Sequence, residues 1–415
     1  MSEMTTIITT VGSSLCTNFV NETNNLIGEF YRLKDLLYSN EHRRQYESYI
    51  NRFKTRLAQY ARETSDPCAE ISSVREIITT IGSGPVRVQL LASQTILSWI
   101  AATVIQEQLL TEGYEVQFDE KSDIIYGLQV KDAKVFEREG LVNFIDRVSN
   151  VSNYGNHSVL NITGGYKALI PYATLLAQIY QIPMFYLFGD KFVAEEKYQL
   201  IEFPQAPIAA NWSMFEQYEN VIRDLKEGIE DWEPYRRMHN ISEDFSACIS
   251  TTNGKDAFLN AVGEMFYQQY QQFQMVYVLQ NGPFSKEEAV HNRSVLHQEI
   301  GKLLSALKRF IQHNGLMDAA KEEIAAKMRE GGNAGELCHA YRKGDEFFIY
   351  KCPRTKPEVR LLYSFDYTKG KLEKVVIYDF RIGHFNHSDY VNDFRIFYEN
   401  NKDGKVVPYL QKKIN

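Results

Sequence analysis

The alternation of strand-like and helix-length segments over the first 205 residues constrains the fold more than any other feature of this chain. Short apolar runs rich in β-branched and aromatic residues recur there, and each is followed by a longer amphipathic stretch. These runs are residues 4–11, 86–91, 114–118, 124–130, 159–162 and 184–188. Continuous apolar strands separated by helices predict a largely parallel sheet covered on both faces, an α/β domain of the Rossmann-like class.

The chain is too long for one ordinary domain, because its 415 residues exceed the ~100 to 200 residues typical of a domain. Residues 206–270 begin around Pro204 and Pro207 and carry aromatic residues at helical spacing, so we expect a helical middle region there. Residues 271–415 begin with a strand-like run and two helical patterns, and three alternating strands follow. That order predicts an α+β domain with an antiparallel sheet.

The composition favours a folded protein of the cytoplasm. Hydrophobic residues make up 44% of the chain and charged residues 24%, as in globular proteins rather than disordered ones. The five cysteines form no C-x-x-C pair, which argues against a zinc ribbon or a disulfide scaffold and favours a reducing compartment. We read no signal peptide and no membrane span.

Two glycine-containing turns, each between a predicted strand and a predicted helix, are the first candidate site. They read Thr-Thr-Val-Gly-Ser-Ser at 9–14 and Asn-Ile-Thr-Gly-Gly-Tyr-Lys at 161–167. Small residues let a ligand approach the backbone, and free N–H groups at a helix N-terminus attract phosphate. Lys167 would add a positive charge. Neither turn is a Walker A motif, and a lone turn of this kind is commonly a tight connection.

These turns resemble those of the CARF domains of CRISPR-associated effectors. The resemblance implies a homodimer that binds a cyclic oligoadenylate, most often the tetra-adenylate, as an allosteric activator rather than a cofactor. A two-fold symmetric ring suits a two-fold site. Some CARF domains also cleave this ligand. Ser13 and Lys167 could stabilise the transition state of that cleavage, but simple binding needs the same residues, so both possibilities stay open. The implied ligand-binding residues are Thr10, Gly12, Ser13, Ser14, Thr163, Gly164, Gly165 and Lys167.

The second candidate site lies in the basic C-terminal segment, where residues 331–415 carry 15 Lys and Arg against 11 Asp and Glu. Several of these cations fall on predicted strands, and alternation places Arg360 on the same face as Leu362. A sheet face that carries Arg or Lys is a candidate platform for phosphate. Edge strands also carry such cations to prevent aggregation, so both interpretations stay open here.

The segment resembles the RelE family of ribosome-dependent mRNA interferases. The resemblance covers residues 271–415 and includes Arg-Leu-Leu-Tyr at 360–363 and a late His-Ser-Asp-Tyr at 387–390. It implies metal-independent cutting of mRNA in the ribosomal A site. The implied catalytic set is Lys351, Arg354, Arg360, Arg381, His384, His387 and Tyr390.

Cleavage by attack of a 2′-oxygen needs a base, cations on the phosphate and an acid for the leaving oxygen. We assign Arg360 and Arg354 as charge stabilisers, Lys351 as positioning cation or base, and His384 as general acid. His384 stands where several family members have arginine, so His387 is a reserve acid. Tyr390 would stack on the nucleotide or activate it. No further ligands with metal-site spacing accompany the two histidines, and we predict no metal.

Together the two resemblances indicate a CARF-RelE mRNA interferase, a toxin-like hydrolase that acts as an ancillary effector of type III CRISPR-Cas antiviral defence. One alternative is a CARF transcription regulator that binds DNA, and another is a ring nuclease alone. The predicted middle region is acidic, with nine Asp and Glu against four Lys and Arg over residues 211–245. It is either a docking element for a ribosomal protein or an interdomain spacer or dimerisation element.

Overall fold

The computed structural model describes residues 4–82, 84–129, 131–152, 158–188, 199–204, 212–330, 336–340, 344–351, 358–368, 370–383 and 387–410. The chain forms two compact units. The first comprises Met1–Ala206, Glu230–Trp232 and Ser246–Met265, and the second comprises Pro207–Ile229, Glu233–Phe245 and Phe266–Asn415. The division into domains at residues 205 and 270 stays a prediction.

The first unit is built on a seven-stranded sheet, with a separate two-stranded hairpin. Its strands are β1 (Thr5–Val11), β2 (Val86–Ser93), β3 (Glu115–Gln117), β4 (Ile124–Ile125), β5 (Ser158–Asn161), β6 (Met184–Phe188), β7 (Gln199–Phe203), β8 (Ile249–Thr252) and β9 (Asp256–Leu259). The sheet order is β3-β2-β1-β5-β6-β7, and β4 also pairs with β2. All neighbours in this sheet run parallel except β6 and β7.

Helices cover both faces of this sheet. They are α1 (Ser14–Thr23), α2 (Ile27–Leu33), α3 (Asn40–Gln45), α4 (Glu47–Glu63), α5 (Ala69–Ile81), α6 (Ile96–Thr111), α7 (Ala133–Val135), α8 (Leu141–Ser152) and α9 (Ile170–Tyr180). Ile7 and Ile8 point to opposite faces of β1, and both are fully buried. Helix α5 packs on β1, and α8 also contacts β1. The mixed α/β class that the sequence predicted is confirmed.

The strands of the first unit differ from the prediction in three places. The run 124–130 forms only the two-residue strand β4, because Gly127 adopts a left-handed φ of +79° in the turn that follows. Strand β7 was not predicted, and it pairs with β6 as the antiparallel edge of the sheet. The hairpin β8–β9 lies in a region that was expected to be helical.

The second unit contains a five-stranded sheet. Its strands are β10 (Val276–Leu279), β11 (Phe348–Lys351), β12 (Val359–Thr368), β13 (Lys371–Ile382) and β14 (Val406–Pro408). The order is β11-β12-β13-β10-β14, and only the pair β10–β13 is parallel. The helices that follow β7 in the chain are α10 (Trp212–Gln217), α11 (Glu219–Glu227), α12 (Trp232–Met238), α13 (Ala261–Phe273), α14 (Glu287–His291), α15 (Arg293–His313), α16 (Lys321–Arg329) and α17 (His387–Asn401).

The two faces of this second sheet belong to two hydrophobic cores. Leu361 and Tyr363 point to the face that packs with α15, whereas Leu362 points to the face that packs with Tyr390 and Phe394 of α17. The predicted order of a strand, helices and an antiparallel meander is therefore present. In the acidic middle region, the apolar stripe of α11 is buried, including Ile222. No helix among the described residues is both long and apolar enough to cross a bilayer.

Candidate functional site

The two glycine-containing turns lie side by side in the first unit. Strands β1 and β5 are parallel neighbours, and Thr9 pairs with Asn161 near the carboxyl end of each strand. The turns that follow the two strands therefore meet at one edge of the sheet, where ligands bind in folds of this kind. We call residues 10–14 and 163–167, together with Glu70, the strand-end site.

Backbone packing between the turns requires glycine. Thr10 is buried, and its hydroxyl donates a hydrogen bond of 2.6 Å to the carbonyl oxygen of Gly164. A Cβ atom on Gly12 would lie only 3.1 Å from Cα of Gly165, and Gly165 itself has a φ of +92°. The small residues thus let the turns touch each other, which is a structural use of the glycines that the sequence interpretation did not include.

Thr163 is engaged with its own fold. Its hydroxyl donates to Oδ1 of Asn161 (2.7 Å) and accepts from the backbone N–H of Leu187 (2.9 Å). Asn161 is fully buried and donates in turn to the hydroxyl of Ser73. The Thr163 hydroxyl therefore fixes the second turn and holds it against β6.

Glu70 is a member of the site that the sequence interpretation missed. It lies in the first turn of α5 and is fully buried. Its Oε1 accepts from the backbone N–H of Gly12 (3.3 Å), and its Oε2 accepts from the hydroxyl of Ser14. A Cβ atom on Gly164 would collide with the Glu70 side chain. One carboxylate therefore touches both turns, although acidic residues are so common in first helical turns that the sequence gives no signal.

Two cysteines near Glu70 have strongly perturbed pKa values. Burial raises the pKa of the Cys16 thiol and that of Cys68, and the negative charge of Glu70 raises both further. Both side chains are therefore protonated at neutral pH and unreactive as nucleophiles. This part of the site supplies structure rather than covalent chemistry.

Ser13 and Lys167 are the exposed members of the strand-end site. Ser13 is the N-cap residue of α1, and its side chain makes no capping hydrogen bond. Lys167 begins a short 3₁₀-helix, Lys167–Leu169. Burial raises the pKa of the neighbouring Tyr166 phenol, and a hydrogen bond with Ser93, at the end of β2, partly offsets this shift. A hydroxyl and an ammonium group on the open side are suited to phosphate oxygens.

Three cations of the second unit form a row across the sheet. Lys351 pairs with Arg360 between β11 and β12, and Arg360 pairs with Arg381 between β12 and β13. Directly opposed residues of antiparallel strands share a face, so the three side chains lie on one side. We call Lys351, Arg360 and Arg381 the cation row. Lys351 is exposed, the Arg381 side chain is 37% exposed and the Arg360 side chain only 5%.

Arg360 is covered by α17 and carries its own counter-ion. Its Nη2 lies 2.7 Å from Oε2 of Glu358, and its Cζ lies 5.7 Å from the centroid of the Tyr390 ring. A guanidinium over an aromatic ring at this distance is a cation–π contact. The buried Nε of Arg360 has no hydrogen-bond partner among the described residues. Buried donors are normally hydrogen-bonded, and an oxygen atom of a bound ligand could accept from this Nε–H group.

Arg381 has a counter-ion as well. Its Nη1 lies 2.8 Å from Oδ2 of Asp379, and its Cζ lies 5.4 Å from the centroid of the Phe394 ring. Oδ1 of Asp379 accepts from the backbone N–H of Phe380. Burial raises the pKa of Asp379 to about 6. The sequence interpretation missed both Glu358 and Asp379, although each stands two residues before its arginine, Glu358 immediately before β12 and Asp379 within β13.

The remaining predicted catalytic residues are only partly covered by the structure. Arg354 and His384 lie outside the described residues, and so does the side chain of His387, whose backbone begins α17. Tyr390 is buried, and its ring lies nearly parallel to that of His339 with centroids 6.3 Å apart. The assignment of the general acid stays a prediction. Across the described ranges, no group of three or more His, Cys, Asp or Glu side chains is arranged to hold a metal.

The chain was compared with protein-family models. Residues 65–206 match a family described as CRISPR-associated protein (Cas_APE2256). The match supports a CRISPR-associated protein. It spans about a third of the chain and includes Glu70, β5 and the second turn of the strand-end site, whereas the first turn and the whole cation row lie outside it. No curated protein matched the chain in a sequence search.

Proposed function

We propose that this CRISPR-associated chain is an ancillary effector of type III systems in which a cyclic oligoadenylate activates a ribosome-dependent mRNA endoribonuclease. The ligand, expected to be cyclic tetra-adenylate, would bind at the strand-end site of a homodimer. The cation row would take the scissile phosphate of mRNA in the ribosomal A site. Cutting there would stop translation.

The sensor part rests on the strand-end site. Two turns on neighbouring parallel strands converge at one sheet edge, and the exposed hydroxyl of Ser13 and ammonium of Lys167 belong to them. One of these turns falls inside the segment that matches CRISPR-associated proteins. Hydroxyl, ammonium and helix N-terminal N–H groups together are a common arrangement for phosphate oxygens. This convergence is the observation that carries the proposal.

The nuclease part rests on the cation row. In the proposed reaction a base removes the proton from a ribose 2′-hydroxyl, and the 2′-oxygen attacks the adjacent phosphorus. The bond to the 5′-oxygen then breaks, and that oxygen takes a proton from the acid, leaving a 2′,3′-cyclic phosphate and a 5′-hydroxyl. Negative charge builds on the phosphate oxygens, and the aligned cations would stabilise it. The buried Nε of Arg360, which has no hydrogen-bond partner within the described ranges, supports this role.

The exposure of the row suggests how each residue would act. Lys351 is exposed and can act as a positioning cation or base, whereas Arg360 reaches a phosphate only if Tyr390 and α17 shift. The proposed activator must therefore favour the state with an open row. In energetic terms, it must bind that state more tightly than the closed one.

The test is mRNA cleavage during translation with purified ribosomes, with and without cyclic tetra-adenylate. We expect ligand-dependent cuts that Arg360→Ala abolishes and that Lys167→Ala shifts to higher ligand concentration. Lys321→Ala is the matched control, because Lys321 is a partly exposed cation in the same unit that pairs with Asp366. Equal cutting with and without the ligand would refute the switch.

Two other outcomes would favour a different function for the chain. A ligand-dependent shift of duplex DNA with no RNA product would favour a DNA-binding regulator. Loss of the cyclic ligand on chromatography that persists in Arg360→Ala, again with no RNA product, would favour a ring nuclease. Light scattering of the full-length chain tests the homodimer separately.

A further inference from the structure

Glu70 occupies the place in the strand-end site where a bound anion would be expected. The turn after β1 leads directly into α1, and helix N-terminal regions attract negative charge. The N–H of Gly12 and the hydroxyl of Ser14 stand at this entrance, and both already donate to the carboxylate of Glu70. Two of the donors predicted to bind ligand are therefore occupied by a side chain of the protein.

The position of Glu70 is fixed from several sides. It belongs to the first turn of its own helix, α5, where a carboxylate is also favourable. It is fully buried, and a Cβ atom at position 164 would lie only 2.4 Å from its Cγ. Among the described residues no Lys or Arg forms an ion pair with Glu70, so hydrogen bonds and helix N-termini are what hold it.

We propose that Glu70 is a resident anion of the strand-end site, which weakens the binding of simple phosphates and so reserves the site for ligands with several contacts. The inference rests on the proposed function, because it concerns the selectivity of the same site. A phosphate that approaches Ser13 and Lys167 meets the field of a buried carboxylate, and low-dielectric surroundings screen that field poorly. Only a ligand that gains contacts elsewhere offsets this repulsion.

Glu70→Gln isolates the charge from the shape. The amide has the same size, its oxygen can accept from Gly12 N–H, and its nitrogen can donate to the Ser14 hydroxyl. The substitution therefore preserves the contact between the turns while removing the negative charge. Glu76→Gln is the matched control, since Glu76 is exposed on the same helix and loses the same charge.

Two measurements on the full-length chain test the inference. The first is the dissociation constant for cyclic tetra-adenylate by calorimetry. We expect binding about tenfold tighter in Glu70→Gln than in wild type, on the scale of one nearby charge in a medium of intermediate dielectric, and no change in Glu76→Gln. The second is the rise in melting temperature with inorganic phosphate, which we expect to be larger in Glu70→Gln than in the other two proteins.

The outcomes separate this inference from the proposed function. Equal or weaker cyclic tetra-adenylate binding in a folded Glu70→Gln protein would overturn the resident-anion role and would instead indicate a purely structural one. Equal stabilisation of all three proteins by phosphate would also overturn it. If no protein binds cyclic tetra-adenylate but phosphate stabilises Glu70→Gln selectively, the resident-anion role holds while the proposed ligand is refuted.

Discussion

Replacing Asp379 by asparagine should stabilise the second unit at neutral pH. Asp379 is almost fully buried beside Arg381, and burial outweighs the attraction of Arg381 and Lys286 so that its pKa rises from 3.8 to about 6. An ionised carboxylate in this place is therefore held at a cost to the folded state. Asparagine keeps the shape and can still accept from the backbone N–H of Phe380.

The magnitude follows from the pKa difference between the folded and unfolded states. A shift of about 2 units at about 1.4 kcal/mol per unit corresponds to about 3 kcal/mol. The folded-state pKa of Asp379 is raised, so between pH 3.8 and 6 the folded state binds more protons than the unfolded state. Stability therefore falls as pH rises through this window, and the full cost is present above it.

The assay is urea unfolding at several pH values between 4 and 8. Unfolding is monitored by hydrogen exchange and mass spectrometry of peptides from 359–382. This readout reports the second unit separately, since a two-unit chain need not unfold in one step. Asp379→Asn should exceed wild type in stability at pH 7 and approach it at pH 4. The control Asp366→Asn removes an exposed carboxylate, so its effect should be below about 1 kcal/mol. A destabilised Asp379→Asn protein at pH 7, or a difference independent of pH, would refute the reasoning.

Two further predictions concern the candidate sites. Gly164→Ala should destabilise the first unit by about 1 to 3 kcal/mol and abolish cyclic tetra-adenylate binding, because its methyl group collides with Glu70. Gly84→Ala, with open space around the new methyl group, should do neither, as thermal unfolding and calorimetry would show. Lys351→Ala should reduce the rate of ligand-dependent mRNA cutting at least tenfold with an unchanged melting temperature. The control Lys321→Ala should leave both the rate and the melting temperature unchanged. A Lys351→Ala rate equal to wild type would show that Lys351 takes no part in the mechanism.

Hydrophobic pattern predicted the buried strand β1 well and missed the edge strand β7. Strand β1 is a run of β-branched residues whose two faces are covered by helices, and its extent matches the prediction closely. Strand β7 is an edge strand with mostly exposed or half-buried residues, so little apolar pattern marks it. The hairpin β8–β9 did carry a signal, the Asn253-Gly254 dipeptide, and both residues adopt the left-handed φ that such turns need.

The sequence predicted the parts of the candidate sites that lie on or directly after its predicted strands. The sequence placed each turn after a strand, but that the two turns meet depends on β1 and β5 being parallel neighbours, which the strand assignment alone did not give. The cation row likewise follows from strand register. Glu70 comes from a helix between these strands in sequence, and only tertiary packing brings its carboxylate to the turns. The sequence could not predict the burial of Arg360 either, because this burial depends on where α17 lies on the sheet.

The two candidate sites share one electrostatic arrangement, although they lie in different units. Glu70 occupies donors of the strand-end site, and Glu358 and Asp379 neutralise the arginines of the cation row. A phosphate that binds either site must therefore compete with a carboxylate of the protein. The net affinity for a phosphate is then the difference between its interaction with the site and the carboxylate's interaction with the same site. Because these interactions are similar, one isolated phosphate gains little binding free energy. A ligand with several phosphates, or an RNA held in place by other contacts, would offset this competition at its remaining contacts. Under the proposed function, selectivity for such ligands would thus follow from charges that weaken binding, and removing those charges should broaden what each site accepts.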